Sequence, residues 1–281
     1  MAITVGVAGI TGKFARRVVS HLLQHSDITI RVHLLIREEG CDVIVCCYLG
    51  DDTLMVEGQK ALIDVCEEAG VPRYVASDWA LDYTKLKLGE LFPKDPMIHV
   101  KAYLDTKQKV KGVHILIGGF IEPVLSPFFN ILDPQTNTFR YWGEGDEYME
   151  GTTYDNAAEF TVAVIRDAEA TGVVRFLGGR ATIREIAQSY EKVYGVKANL
   201  ERLGSLDELY QTMHQKRAEN PADIYGYMSL FFYYYWVNGQ TFVGPETDNA
   251  KYPDVKPVDW EGFMRQWPLQ QLPTAYFALN A

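Results

Sequence analysis

Three glycines at three-residue intervals, where the first strand meets the first helix, limit this chain more than any other feature. Residues 3–8, Ile-Thr-Val-Gly-Val-Ala, form a short apolar run, and Gly6-Val-Ala-Gly9-Ile-Thr-Gly12 carries it into a segment where Ala15, Val18, Val19, Leu22 and Leu23 recur at helical spacing. A strand that turns straight into a helix leaves the first helical N–H groups unpaired at the positive end of the helix dipole. Glycines in that turn let the backbone approach a bound pyrophosphate closely. A ligand-free tight turn would use the same residues. The position of this turn at the head of an alternating chain favours the phosphate-binding reading.

Strand and helix signals alternate through the first 120 residues. Strands are predicted at residues 28–36, 43–49, 73–77 and 113–117. One helix is capped by Asp52 or Thr53, carries Leu62, Val65, Cys66 and Ala69 on one face, and stops at Gly70. Asp95-Pro96 opens another that ends near Gly112. The alternation predicts an α/β fold, a Rossmann-type parallel sheet with helices on both faces. The second half adds a smaller, mostly helical lobe. Thr182/Glu185 and Ser205/Glu208 are capping boxes, Asn220-Pro221 begins a helix closed by Asn238-Gly239, and Asp259 caps a short one before Pro268. The expected division is 1–119 for the nucleotide-binding domain and 120–281 for the substrate lobe, with part of 151–179 returning a strand to the sheet.

Bulk properties narrow the function. The net charge is −10 with no basic run, the opposite of the field a nucleic-acid binder needs. No apolar stretch approaches the ~20 residues that span a bilayer. A strand from Ile3 leaves no room for a signal peptide, so a cytoplasmic protein is expected. Cys41, Cys46, Cys47 and Cys66 form no CxxC pair, and Cys46 and Cys47 should point to opposite faces of one strand. The six histidines show no metal-ligand spacing, so no metal is expected.

At the end of the second strand, an acidic side chain favours NAD and an arginine accommodates the 2′-phosphate of NADP. That strand ends in Leu34-Leu-Ile-Arg37, which favours NADP. Only residues 38–42 then precede the next strand, whereas a βαβ crossover takes about 30 residues. Either a segment is absent between about Arg37 and Gly40, or the sheet is shrunken.

The pattern Gly6-x-x-Gly9-x-x-Gly12-Lys13-Phe14, with Arg37 ending the second strand, resembles the opening of the isoflavone reductase-like and NmrA-like family of atypical short-chain dehydrogenases/reductases. Arg73-Tyr-Val-Ala-Ser77-Asp78-Trp79-Ala80-Leu81-Asp82 is similar to that family's R-F-x-P-S-E-F-G-x-D strand end, with Asp for Glu, Trp for Phe and Ala for Gly. Phe92-Pro93, Gly119-Phe120-Ile-Glu122, Tyr154-Asp155-Asn-Ala157 and 182–187 resemble further family segments. The likeness spans the chain apart from the stretch after Arg37.

The resemblance implies NADP(H) bound by Gly6, Gly9, Ile10, Thr11, Gly12, Lys13, Phe14, Arg37, Ser77 and Asp78. It also implies a substrate pocket at Trp79, Phe120 and Tyr154, and a catalytic lysine at Lys101. The implied reaction is NADPH-dependent reduction of a C=C, C=N or benzylic ether bond in a small aromatic or alkaloid-like metabolite of secondary metabolism. Two alternatives stay open: a non-catalytic NADP-binding regulator acting by protein contact, and a non-redox cyclase or isomerase. A homodimer is left open as well.

Hydride addition leaves negative charge on the substrate, so a proton donor or cation must sit beside it. Lys101 suits that role, although a solvated pair with Asp105 one turn on is the simpler reading. Tyr-x-x-x-Lys, the signature of typical short-chain dehydrogenases, occurs at Tyr83/Lys87, Tyr103/Lys107 and Tyr252/Lys256. With 17 tyrosines, chance supplies such pairs, and Tyr83 is kept as the reserve acid/base. Six aromatics in a row at 231–236 cannot share one helix face. Part of the run must pack in the core and part must meet ligand, partner or solvent.

Overall fold

The computed structural model describes residues 2–31, 36 and 40–278. Strands β1 (Ile3–Ala8), β2 (Ile28–Arg31), β3 (Val43–Cys46), β4 (Arg73–Val75), β5 (Lys111–Leu116) and, from the second half, β10 (Gly172–Arg175) form one sheet in the order β10-β5-β4-β3-β1-β2. Every pairing in it is parallel. Both faces are covered, which is why β3 at the centre is a continuous apolar run, Val-Ile-Val-Cys, and not an alternating one. On one face, α1 (Lys13–Leu22) and α5 (Tyr154–Arg166) bury Ala15, Val18, Phe160 and Val164 against Val5, Val45 and Val113. On the other, α2 (Gln59–Ala69) and α3 (Asp95–Leu104) bury Ile63, Cys66, Val100 and Leu104 against Ile44, Cys46 and Tyr74. Cys46 and Cys47 fall in these opposite cores, and all four cysteines are free and buried.

Several boundaries differ from expectation. The described part of β2 ends at Arg31, and Ile36 is already helical. The proposed break between Arg37 and Gly40 involves Arg37–Glu39, which lie outside the described residues. The sheet is small in its described part: β2 is its edge, with β1 on one side and no described strand on the other. β3 occupies the far side of β1. Helix α3 ends at Leu104 and not near Gly112, because the Glu67 carboxylate at the end of α2 accepts the N–H groups of Gln108, Lys109 and Val110 and turns the chain into β5. The helical segment that runs into α2 starts as a π turn, Thr53–Gly58, whose Leu54 N–H is taken by Asp51 and not by Asp52 or Thr53.

The second half carries α4 (Ile121–Val124), α6 (Ile183–Tyr194), α7 (Leu206–Glu219), α8 (Ile224–Val237), α9 (Trp260–Arg265) and α10 (Ala275–Ala278). It also holds two small sheets that the sequence pattern did not announce. One orders β11 (Gly179–Thr182), β9 (Tyr148–Thr152) and β6 (Gly119–Phe120); the other orders β12 (Asn199–Gly204), β8 (Thr138–Trp142) and β7 (Leu132–Asp133). These strands have two to six residues, too short for periodicity to register. Among the described residues no helix is long and apolar enough to cross a membrane.

Candidate functional site

The glycine turn has the geometry that its spacing implied. Gly6 lies inside β1, in register with Arg31 of β2 on one side and Ile44 of β3 on the other. Gly9 has φ +79°, and a Cβ there would sit 2.7 Å from the Cys47 carbonyl oxygen. Any side chain would therefore meet both a left-handed backbone and the end of β3. Gly12 is the N-cap of α1 and donates its N–H to Gly9 O at 3.1 Å. No side chain caps α1, and its first turn holds no acidic residue, so its positive end is open to an anion. Thr11 is exposed and Ile10 half-buried. Lys13 reaches back, donating from Nζ to Tyr276 O at 3.2 Å with the Tyr276 ring 3.9 Å away, so α10 folds against the turn. Arg37 lies outside the described residues.

The turn after β4 is built around buried polar groups. Ser77 is bound at both ends: its Oγ donates to Tyr48 O at 2.6 Å, and its N–H donates to Gln59 Oε1. Asp78 Oδ2 accepts from the Tyr83 hydroxyl at 3.0 Å and lies 2.7 Å from His114 Nδ1, all three residues being buried. Burial, with the Asp78 charge behind it, pushes the Tyr83 phenol well above its usual range. Tyr83 is therefore a partner of Asp78 inside the protein. Trp79 has φ +33° and points its Nε1 at Thr161 Oγ1 on α5, 2.8 Å away.

The three residues implied as substrate contacts come together with the glycine turn. Phe14 packs on Trp79 at 4.4 Å and on Phe120 at 5.6 Å between ring centroids, and Phe120 stacks on Tyr154 at 3.9 Å. Behind that stack, Glu122 is buried and accepts the Tyr154 N–H at 2.9 Å through Oε1. Burial raises its carboxyl to about 7.

Lys101 pairs with Asp105, the simpler of the two readings its spacing allowed. Its ammonium is 2.7 Å from Asp105 Oδ2 in an exposed i,i+4 pair. Helix α3 links parallel neighbours β4 and β5, so it starts at the carboxyl ends of the strands, where ligands bind in this architecture, and runs away from them. Lys101 lies on that descending path. Lys94, passed over in the sequence, is the N-cap of α3 and stands about two turns, or ~10 Å, nearer the strand ends. Its Nζ lies 5.3 Å from the centre of the Phe232 ring on α8. Asp95-Pro96 marks this helix start in the sequence. The aromatic run divides as anticipated: Phe231, Tyr233, Tyr235 and Trp236 are buried, and Phe232 and Tyr234 are half-buried.

A separate polar cavity of about 500 Å³ opens between α1, α5 and the 254–258 segment. Arg17 and His21 pair there with Asp155, so its charges are largely matched internally. Among the described residues no group of three or more His, Cys, Asp or Glu side chains could hold a metal.

The crevice, the glycine turn and the helix-backed sheet define a dinucleotide-fold α/β protein. Solved structures of the same fold extend over nearly the whole chain. AtPrR2 with NADP+ and (+)pinoresinol superposes with a TM-score of 0.75 at 18% identity, covering 95% of this chain and 99% of that one. The leucoanthocyanidin reductase–NADPH complex from Vitis vinifera gives 0.74 at 17%, covering 96% and 99%. Isoflavone reductase gives 0.74 at 15%, covering 95% and 99%. At these identities the likeness is one of fold. No family model and no curated protein sequence matches the chain.

Proposed function

We propose that the protein is an NADPH-dependent reductase of a small aromatic metabolite. The observation that carries this reading is the Gly9 cradle: a positive-φ glycine jammed against the Cys47 carbonyl, beside the uncapped N-terminus of α1. A cradle that a single Cβ would fill suits a pyrophosphate. Its fold is shared with AtPrR2 in complex with NADP+ and with a leucoanthocyanidin reductase in complex with NADPH. In this reading the Gly6–Gly12 turn with Lys13 and Phe14 holds the dinucleotide, Ser77 and Asp78 border it, and Arg37 takes the 2′-phosphate. Residues 1–119 form the nucleotide-binding part and 120–281 the substrate part, with α5 and β10 returned to the sheet.

NADPH supplies the hydride when bound. The chain's own work is to hold a flat substrate against the Phe14–Trp79–Phe120–Tyr154 group, exclude water with those rings, and give a proton where negative charge develops. Lys101, held by Asp105, and Tyr83, buried on Asp78, are poorly placed for that last task.

Thermal shift with NADPH against NADH tests the cofactor, and loss of NADPH absorbance with a panel of aryl enones and imines tests the chemistry. Tighter binding of NADPH and its oxidation by at least one acceptor are expected. Equal affinity for both cofactors would remove Arg37 from the 2′-phosphate. Conversion of substrate without NADPH loss would mean a non-redox enzyme, and cofactor binding without any conversion a regulator.

A further inference from the structure

We propose that the segment Leu272–Ala278 is a latch on the glycine turn: Tyr276 holds Lys13 in the closed form seen here, and a phosphate anion at the turn takes Lys13 away and lets the segment lift. The proposal rests on the dinucleotide half of the reading above and adds a regulation of that same site.

The latch has a fixed root and a lightly held tip. Leu272 and Ala275 are completely buried, and α10 packs on α4. The tip is α10 itself, four residues that make about one turn, a length with no helical stability of its own. Tyr276, half-buried, ties this tip down. Its carbonyl accepts from Lys13 Nζ at 3.2 Å, and its ring lies 3.9 Å from the same Nζ. The ring also stands 6.1 Å from that of Tyr154, which stacks on Phe120. One residue thus reaches from the glycine turn to the aromatic group.

Lys13 is the point of competition. It is the first residue of α1, directly after the Gly12 N-cap, so its ammonium hangs from the helix end that attracts an anion. A pyrophosphate there offers Lys13 a charge-assisted bond, about twice as strong as a bond to a neutral carbonyl such as Tyr276 O. That bond can form only when Lys13 has let go of Tyr276. The anion therefore binds the open form better, and this difference in affinity is what shifts the latch. The coupling runs both ways: loosening Tyr276 from Lys13 strengthens binding at the turn. Lifting the tip also takes Tyr276 from beside Tyr154, so a phosphate at one end opens the aromatic group at the other.

Hydrogen exchange of peptides covering residues 268–278, read by mass spectrometry, tests the latch together with calorimetric titration. Inorganic pyrophosphate and NADPH serve as separate probes on wild type, Tyr276→Ala and Lys13→Met, each checked by its melting curve. In wild type either probe should speed exchange in 272–278 by about threefold or more. Tyr276→Ala keeps the carbonyl but loses the ring, and should bind NADPH about threefold more tightly than wild type. Lys13→Met should exchange fast in 272–278 with or without a probe, and bind both probes more weakly. Slower exchange on adding a probe, or weaker NADPH binding by Tyr276→Ala, would make the segment a clamp and overturn the proposal. A packing role alone would lower the melting point of Tyr276→Ala and leave its affinity and the exchange response unchanged, which overturns it as well. Pyrophosphate that opens the segment while NADPH fails to bind would keep the latch and remove the dinucleotide reading. Binding of neither probe, by wild type or by Tyr276→Ala, would overturn both.

Discussion

Glu122 shows how one buried side chain ties pH to folding. Its Oε2 has no hydrogen-bond partner among the described residues, and burial raises its carboxyl from an ordinary 4.5 to about 7. The folded state thus holds this proton more tightly than the unfolded chain does. The resulting stability is complete below the unfolded value of about 4.5 and is lost as pH climbs through 7. Glu122→Gln keeps the acceptor for Tyr154 N–H and removes the charge. It should leave the melting point unchanged at pH 4 and raise it above pH 8, by about 2 kcal/mol or ~4 °C. An equal shift at both pH values would show that ionisation of Glu122 is not the cause. Gly9→Ala is expected to fail in a different way: at φ +79° with Cys47 O 2.7 Å away, even a methyl should destabilise by ~2 kcal/mol and abolish NADPH binding in a thermal-shift titration. The glycines were legible because their constraint is local. Glu122 was not, because its burial is created by α5 packing from more than 30 residues away.

At the scale of elements, what the sequence showed best were the helix starts that carry a capping box. Both capping boxes form in full, with Thr182 and Glu185 exchanging bonds at the start of α6 and Ser205 and Glu208 at the start of α7. Thr182→Ala leaves the Glu185 N–H without its side-chain acceptor and should cost about 1 kcal/mol in denaturant titration, with an unchanged m-value. A loss below ~0.3 kcal/mol would mean that tertiary packing, not the cap, holds that end. The helix α8 was legible only as a conflict. Its six aromatics could not share a face, and the conflict is resolved because two surfaces receive them. Trp236 donates Nε1–H to Glu150 O on β9 at 2.8 Å, Tyr233 hydroxyl takes the Trp142 N–H of β8, and Phe232 turns to Lys94. The two small sheets had no signature of their own. Strands such as β6 and β7 exist because neighbouring chain is available to pair with, information that no window of sequence contains.

The two halves of the sequence share one core, and this decides how the whole molecule should respond to division. The face of the main sheet carrying Val5, Val45 and Val113 is closed by Ala157, Phe160, Val164 and Phe176 from the second half. Arg73 of β4 reaches into the C-terminal turn of α5, donating to Val164 O and Asp167 O through Nη1 and to Ile165 O through Nη2. A buried cation on the last carbonyls of a helix answers both their unpaired lone pairs and the negative end of the dipole. Asp82, fully buried, receives Arg175 of β10 at 2.9 Å. A fragment of residues 1–119 would keep five strands but lose their outer neighbour and half of their cover, and it would leave Arg73 without its three carbonyl acceptors and the buried Asp82 with Lys85 but without Arg175. Such a fragment should show no cooperative melting transition and should bind a hydrophobic dye. Co-expression with 120–281 should restore a single transition. In the intact chain, Arg73→Met, which keeps the volume but orphans three carbonyls, should lower stability by ~3 kcal/mol in urea. Cooperative unfolding of 1–119 alone would show that this segment is an autonomous domain, and that the contacts of Arg73 and Asp82 join two finished bodies.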